Sequence, residues 1–229
     1  MEAVSVILAA VGGYLLGSIP FGLVLTRLAG LSDIRQIGSG NIGATNVLRT
    51  GRKDLALATL VLDAGKAAAA LLLARACAEA AGLDEETQRQ LGLLAGAAAF
   101  IGHCYPVWLG FKGGKGVATF FGVLFAGIWP LGLMAAITWL AVATIFRYSS
   151  LAALCAALIA PLMAAIAGFA VSEIVFTLIL AALIFLRHAP NIARLRAGTE
   201  PRIGDKKEEA SSPLASPATP AIEPPTSAE

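Results

Sequence analysis

A chain of 229 residues with 57% hydrophobic and 14% charged side chains is too apolar for a soluble domain, where about a quarter of residues carry charge. It reads as an integral membrane protein, and a net charge of +2 decides little until the charges are placed along the chain. Cys77, Cys104 and Cys155 sit in or beside apolar segments without metal or redox spacing, so they have packing roles, and no metal, cofactor or nucleic-acid partner is expected.

The first residues, Met1 to Val4, lack the positive n-region of a signal peptide, and the apolar run that follows is long enough to remain as a first membrane helix. Apolar windows fall at Val4 to Thr26, Leu55 to Ala78, Leu91 to Leu109, Val117 to Ile128, Leu131 to Phe146, Leu151 to Ala170 and Ile174 to Leu186. The expected fold is an all-α polytopic bundle of about seven transmembrane helices. The fourth window is too short to cross alone, and with the break marked by Pro130 it can join the fifth as a bent or re-entrant element.

Basic residues set the orientation. With the N-terminus outside, the inner segments hold Arg27, Arg35, Arg49, Arg52, Lys53, Lys112, Lys115, Arg147, Arg187, Arg194, Arg196, Arg202, Lys206 and Lys207. Lys66 and Arg75 belong to the second helix, and Arg89 alone falls in an outer loop, so the positive-inside rule puts the C-terminus in the cytoplasm. Alanine-rich runs such as Ala67 to Ala70 and Ala95 to Ala99 let helix backbones approach closely. Asp63 and Lys66, three apart in the second helix, read as a structural ion pair rather than as catalytic groups. Residues 1–204 form the membrane domain, and 205–229, rich in Pro, Ala and Ser, form a disordered cytoplasmic tail.

Four polar clusters fall on the predicted cytoplasmic face. The first, Ile37 to Arg49, alternates glycines with Ser39, Asn41, Thr45 and Asn46, and resembles an oxyanion nest closed by an arginine able to grip phosphate bidentately; a polar linker is the plainer alternative. The second, Phe111-Lys112-Gly113-Gly114-Lys115-Gly116, combines mobile positive charges with backbone N–H groups that can converge on an anion. The same residues also suit a charged turn between helices. Gly116 follows Lys115 where a nucleotide-binding P-loop needs Ser or Thr, so nucleoside triphosphate is not implied. The third, Arg147 to Ser150, opens a helix that Ser150 can cap, leaving one serine of the pair to face substrate. The fourth places His188, Asn191 and Arg194 at spacings of three on a short turn or helix. Convergence of these clusters at one mouth of a bundle makes a site for a phosphorylated molecule at the boundary of water and lipid, which favours a lipid-facing enzyme. A transporter would place polar groups near the midplane in inverted repeats, and neither pattern is present.

Ser39 to Asn46, Gly102-His103 with Phe111 to Thr119, and Arg187-His188 with Asn191 to Arg194 resemble the three cytoplasmic motifs of the bacterial acyl-phosphate:glycerol-3-phosphate acyltransferases. The likeness runs from Gly17 to Glu200. It implies transfer of a fatty acyl group from acyl phosphate to the 1-hydroxyl of glycerol 3-phosphate, giving lysophosphatidic acid and phosphate, the first acylation of phospholipid biosynthesis. It also implies a bacterial inner-membrane location, a cytoplasmic active site and a phosphate acyltransferase that supplies the acyl phosphate. Ser39, Asn41, Arg49, Lys112, Lys115, His188 and Asn191 are then the catalytic candidates. Gly40, Asn46, Gly113, Gly114, Gly116, Thr119, Ser150 and Arg194 are the substrate-binding candidates, and Glu200 is structural. Acyl phosphate is a mixed anhydride with a good leaving group, so the expected mechanism is substrate-assisted: a donor phosphate oxygen takes the hydroxyl proton, the lysines and Arg49 hold the two phosphates, and Ser39 with backbone N–H groups polarises the carbonyl.

Overall fold

The computed structural model describes residues 3–204; the expected tail lies outside the described residues. The chain folds into helices α1 (Ala3–Gly17), α2 (Phe21–Leu28), α3 (Ala44–Val47), α4 (Lys53–Ala80), α5 (Glu85–Cys104), α6 (Val117–Gly127), α7 (Trp129–Phe146), α8 (Ser149–Ile166), α9 (Val171–Arg187) and α10 (Ala189–Arg196). Among the described residues five stretches are long and apolar enough to cross a membrane, or six if α9 and α10, bent by 62°, count as one span. Each of the seven apolar windows holds helix, the first broken into α1 and α2, and the windows to Leu109 and Ala170 run past the ends of α5 and α8. The fourth, α6, is about 16 Å long at 1.5 Å per residue, half of a bilayer core, and stays separate from α7. Ile128 makes the break with φ −145° and ψ 64°, and Pro130 falls in the first turn of α7, where its missing N–H costs nothing.

Small residues decide how the helices meet. On α1, a Cβ at Gly13 or Gly17 would overlap the backbone of Ala95 or Ala99 on α5, and a Cβ at Gly122 on α6 would overlap Ala64 on α4. Helices of a membrane protein gain from such backbone contact because lipid removes the usual apolar drive between them. α5 thus packs on α1 and α4, α4 also on α6, and α8 between α7 and α9. Leu71, Phe100, Phe120, Leu124, Leu131, Leu180 and Ile184 fill the shared core, while Leu8, Ile137, Leu140 and Leu178 remain exposed toward the lipid. At the end of the bundle away from the polar clusters, Arg89 pairs with Glu173 at 2.7 Å and ties α5 to the start of α9.

Helix ends set the geometry of the polar clusters. α5 begins six residues before its apolar window, because Asp84 accepts the Thr87 N–H at 3.0 Å and caps it. α1 stops at Gly17 before Pro20, and the α1–α2 break leaves the Ile19 carbonyl free to accept a side chain from α4. The N-terminal ends of α4, α6 and α8 and the C-terminal ends of α5 and α9 lie together at one end of the bundle, so residues from 38 to 201 share one cavity there.

Candidate active site

The cavity holds about 690 Å³ and is lined by Gly38, Ser39, Asn41, Asn46 and Arg49 from the first cluster, Lys115 and Gly116 from the second, Ser149 and Ser150, and His188, Asn191, Arg194 and Glu200. A second cavity of about 400 Å³ between α1, α4 and α5 is almost wholly apolar and lies apart from these groups.

Asn46 shapes the first cluster. Its amide donates to the carbonyls of Ile34 at 2.6 Å and Asn41 at 2.7 Å, and its oxygen accepts the Ser39 N–H at 3.2 Å. These bonds use most of what a carboxamide offers, so Asn46 holds the turn while Ser39 and Arg49 stay exposed at the cavity. Gly38 has φ +57°, and a Cβ there would overlap Asn46 and the Arg49 side chain, so glycine lets the arginine lie across the turn.

The glycine-rich loop departs from expectation. The N–H groups of Gly113 and Gly114 donate to the carbonyls of Cys104 at 3.2 Å and His103 at 3.0 Å, and their carbonyls accept from Arg187 at 2.8 and 2.9 Å. These glycines therefore do not form an anion nest: they let the loop lie against the end of α5, where a Cβ on Gly113 or Gly114 would overlap His103. Lys112 is exposed and, like Gly40, is not part of the cavity wall. Thr119 is buried and donates to the Gly116 carbonyl at 2.8 Å, so it fixes the first turn of α6 rather than facing substrate. Gly116, at φ +84°, redirects the chain into α6, whose first-turn residues Val117 and Ala118 line the cavity; the N–H groups of a first turn have no partner within their helix.

Glu200 organises the opposite wall. Its carboxylate accepts from Ser150 Oγ at 2.6 Å, Asn191 Nδ2 at 2.6 Å and Arg194 Nε at 2.7 Å. Burial alone would raise its pKa, but these hydrogen bonds hold it below the usual carboxylate value. Ser150 therefore does not cap α8, which has no side-chain cap; its hydroxyl is drawn to the carboxylate instead. Asn191, oriented by Glu200, turns its oxygen to Lys115 Nζ at 2.5 Å. His188 Nδ1 lies 2.8 Å from the Ile184 carbonyl. A carbonyl only accepts, so Nδ1 carries the proton and Nε2 keeps a lone pair for the cavity.

Burial lowers the Lys115 pKa to about 8, Glu200 opposing the shift and Arg194, Arg187 and Arg49 adding to it. The amine is charged below that value and neutral above it. If its charge holds an anionic substrate, kcat/KM falls about tenfold per pH unit above pH 8; a flat profile from pH 7 to 10 would show that the charge is not needed.

Sequence reasoning did not single out Arg187 as a clamp on the loop or Asp63 and His103 as cavity residues. An arginine at the end of an apolar helix, one residue before His188, was the available signal. Between the polar rim and Asp63, about 15 Å further along α4, the wall is apolar: Ala56, Leu57, Leu60, Val117, Phe121 and Trp139.

The profile of the family described as glycerol-3-phosphate acyltransferase matches residues 7–198. The chain belongs to this family. The glycerol-3-phosphate acyltransferase of Rhodospirillum rubrum is 60% identical over 92% of this chain and 96% of its own, and that of Maricaulis maris 61% identical over 89% of both chains. Crystal structures of PlsY (YgiH), an integral membrane glycerol 3-phosphate acyltransferase, superpose with a TM-score of 0.78 and 40% identity for the glycerol 3-phosphate form, covering 87% of this chain and 96% of that one. The lysophosphatidic acid form gives 0.77 and 39%. Family membership and the all-helical integral membrane fold agree with the expectation from the motifs.

Proposed function

We propose that this protein transfers a fatty acyl group from acyl phosphate to the 1-hydroxyl of glycerol 3-phosphate, giving 1-acylglycerol 3-phosphate and inorganic phosphate, at the cytoplasmic face of a bacterial inner membrane. The observation that carries this reading is one cavity with two characters. Its rim holds Arg49, Lys115, Arg194 and the first turn of α6, which suit phosphate oxygens. Its apolar wall includes Leu57 and Leu60, 62% and 45% exposed, which suits an acyl chain entering from the bilayer.

In the reaction the glycerol oxygen attacks the acyl carbonyl carbon, the carbon–oxygen bond to phosphate breaks, and the proton passes to a phosphate oxygen of the donor. Lys115 and Arg49 hold the phosphates, Ser39 and backbone N–H groups polarise the carbonyl, and His188 Nε2 accepts from a glycerol hydroxyl and orients it. Positioning and fixed positive charge then supply most of the acceleration, because the leaving group is already good. A phosphate acyltransferase is the class of enzyme that would supply the donor. The basic residues gathered in the turns at the cavity end of the bundle favour an external N-terminus and cytoplasmic C-terminus.

Purified protein in detergent, given glycerol 3-phosphate with acyl phosphate, acyl-CoA or acyl carrier protein, is expected to release phosphate and form lysophosphatidate with acyl phosphate alone. Equal turnover with acyl-CoA would overturn the donor assignment. Chelator in the same assay is expected to leave the rate unchanged, since no three His, Cys, Asp or Glu side chains gather among the described residues.

A further inference from the structure

Beyond the groups assigned to the reaction, three ionisable side chains are buried together beneath the glycine-rich loop. Asp63, Lys66 and His103 are 2%, 4% and 4% exposed. Lys66 Nζ lies 2.8 Å from Asp63 Oδ1, 2.6 Å from the Ile19 carbonyl and 3.1 Å from His103 Nδ1. An ammonium has donors and no acceptor, so it donates to the Ile19 carbonyl and to His103 Nδ1, while Asp63 Oδ1, which has no hydrogen-bond partner, pairs with it through charge alone. His103 Nδ1 is then an acceptor, and the ring proton sits on Nε2. The 3.6 Å from Nδ1 to Asp63 is too long for a hydrogen bond.

The other edge of the ring supports the loop. A Cβ on Gly114 would overlap His103 Nε2, and the His103 carbonyl accepts the Gly114 N–H at 3.0 Å. Gly114 thus rests on the side chain of His103 and is tethered to its main chain. Lys115, the next residue, reaches Asn191. We propose that Asp63, Lys66 and His103 are positioning residues: the Lys66 ammonium, held by α4 and the α1–α2 break, fixes the imidazole on which Gly114 rests, and so sets where Lys115 stands over the phosphate site. An ion pair that only neutralises charge within α4 needs Asp63 and Lys66, both on that helix, but not a ring locked against the loop glycine. A buried pair is also poor evidence of added stability, since apolar replacements often fold as well.

This inference rests on the acyl-transfer reading for its kinetic arm. Its test uses the Asp63→Leu/Lys66→Met double variant, which replaces the pair with apolar side chains of similar size, and His103→Gln, each purified in detergent and compared with wild type by size exclusion and thermal unfolding. The expected result is a folded double variant whose KM for glycerol 3-phosphate rises at least about 30-fold, because displacement of a binding group by about 1 Å costs on the order of 10²-fold. KM for acyl phosphate is expected to rise less than that for glycerol 3-phosphate, because its chain keeps the apolar wall at Leu57, Leu60, Phe121 and Trp139. Trypsin cleavage after Lys112 is expected to accelerate in both variants as the loop loses its support. Wild-type KM for glycerol 3-phosphate in a folded variant would overturn the proposal and leave the cluster a helix clamp. So would failure of both variants to fold, which would assign the cluster to assembly of the bundle. If wild type itself shows no turnover, the acyl-transfer reading fails instead, and the cleavage rates still decide whether the cluster holds the loop: unchanged rates overturn it.

Discussion

Alanine at Lys115 is expected to lower kcat/KM for glycerol 3-phosphate by about 10²–10³-fold, the usual cost of removing one preorganised cationic donor from a water-poor site. The side chain is half-buried, its ammonium meets Asn191 at 2.5 Å, and the α6 N-terminus opens beside it. Truncation removes the charge and leaves the Asn191 oxygen without its donor. Lys112→Ala provides the contrast. Three residues away in the same loop, Lys112 is exposed and outside the cavity wall, so its removal is expected to change kcat/KM by less than about fivefold, in keeping with the small worth of an exposed charge. Steady-state assays on both variants, normalised to folded protein, check this. Equal losses would place the phosphate nearer to the loop's outer face than to Asn191.

Glu200→Ala is expected to be costly in a different way. Three donors, from Ser150, Asn191 and Arg194, converge on this carboxylate. Removal strands two buried polar groups, Ser150 and Asn191, at about 1–3 kcal/mol each, while Arg194, 37% exposed, can turn to water. A lower unfolding temperature in detergent is the first readout. Activity is expected to fall further than the unfolded fraction explains, because Asn191 loses the contact that aims its oxygen at Lys115. Asp at 200 keeps the charge but shortens the reach by one methylene, and is expected to recover stability before activity. A Glu200→Ala variant with wild-type stability would mean that water replaces the carboxylate without loss.

Much of the architecture could be read from the residues, for reasons that can be named. Apolar windows mark where backbone must be internally hydrogen-bonded, so each of them holds helix, with a break between α1 and α2 that hydropathy misses. Pro130 marks the α6–α7 join because it cannot donate an N–H within a helix. Helix ends were less legible: the capped start of α5 at Asp84 lies outside any apolar run, and hydropathy is blind to it. At the site, the chemistry of the clusters was visible but the partner of each atom was not. Gly113 and Gly114 looked like anion donors because their sequence does not reveal that α5 ends where its carbonyls take those N–H groups. Ser150 looked like a cap because Glu200, fifty residues away, is not visible from its neighbours. Asp63 and Lys66 gave the signal of a pair at helical spacing, and only the α4–α5 contact brings His103 to complete the group.

The exposed Leu57 and Leu60 of the cavity wall, on the path proposed for the acyl chain, change what concentration means for the reaction proposed here. A donor that arrives sideways is presented at its mole fraction within the leaflet, whereas glycerol 3-phosphate arrives at its molarity in bulk water. Inert phospholipid would then dilute one substrate without touching the other, and the monoacyl product would never need to leave the bilayer to make way for the next donor.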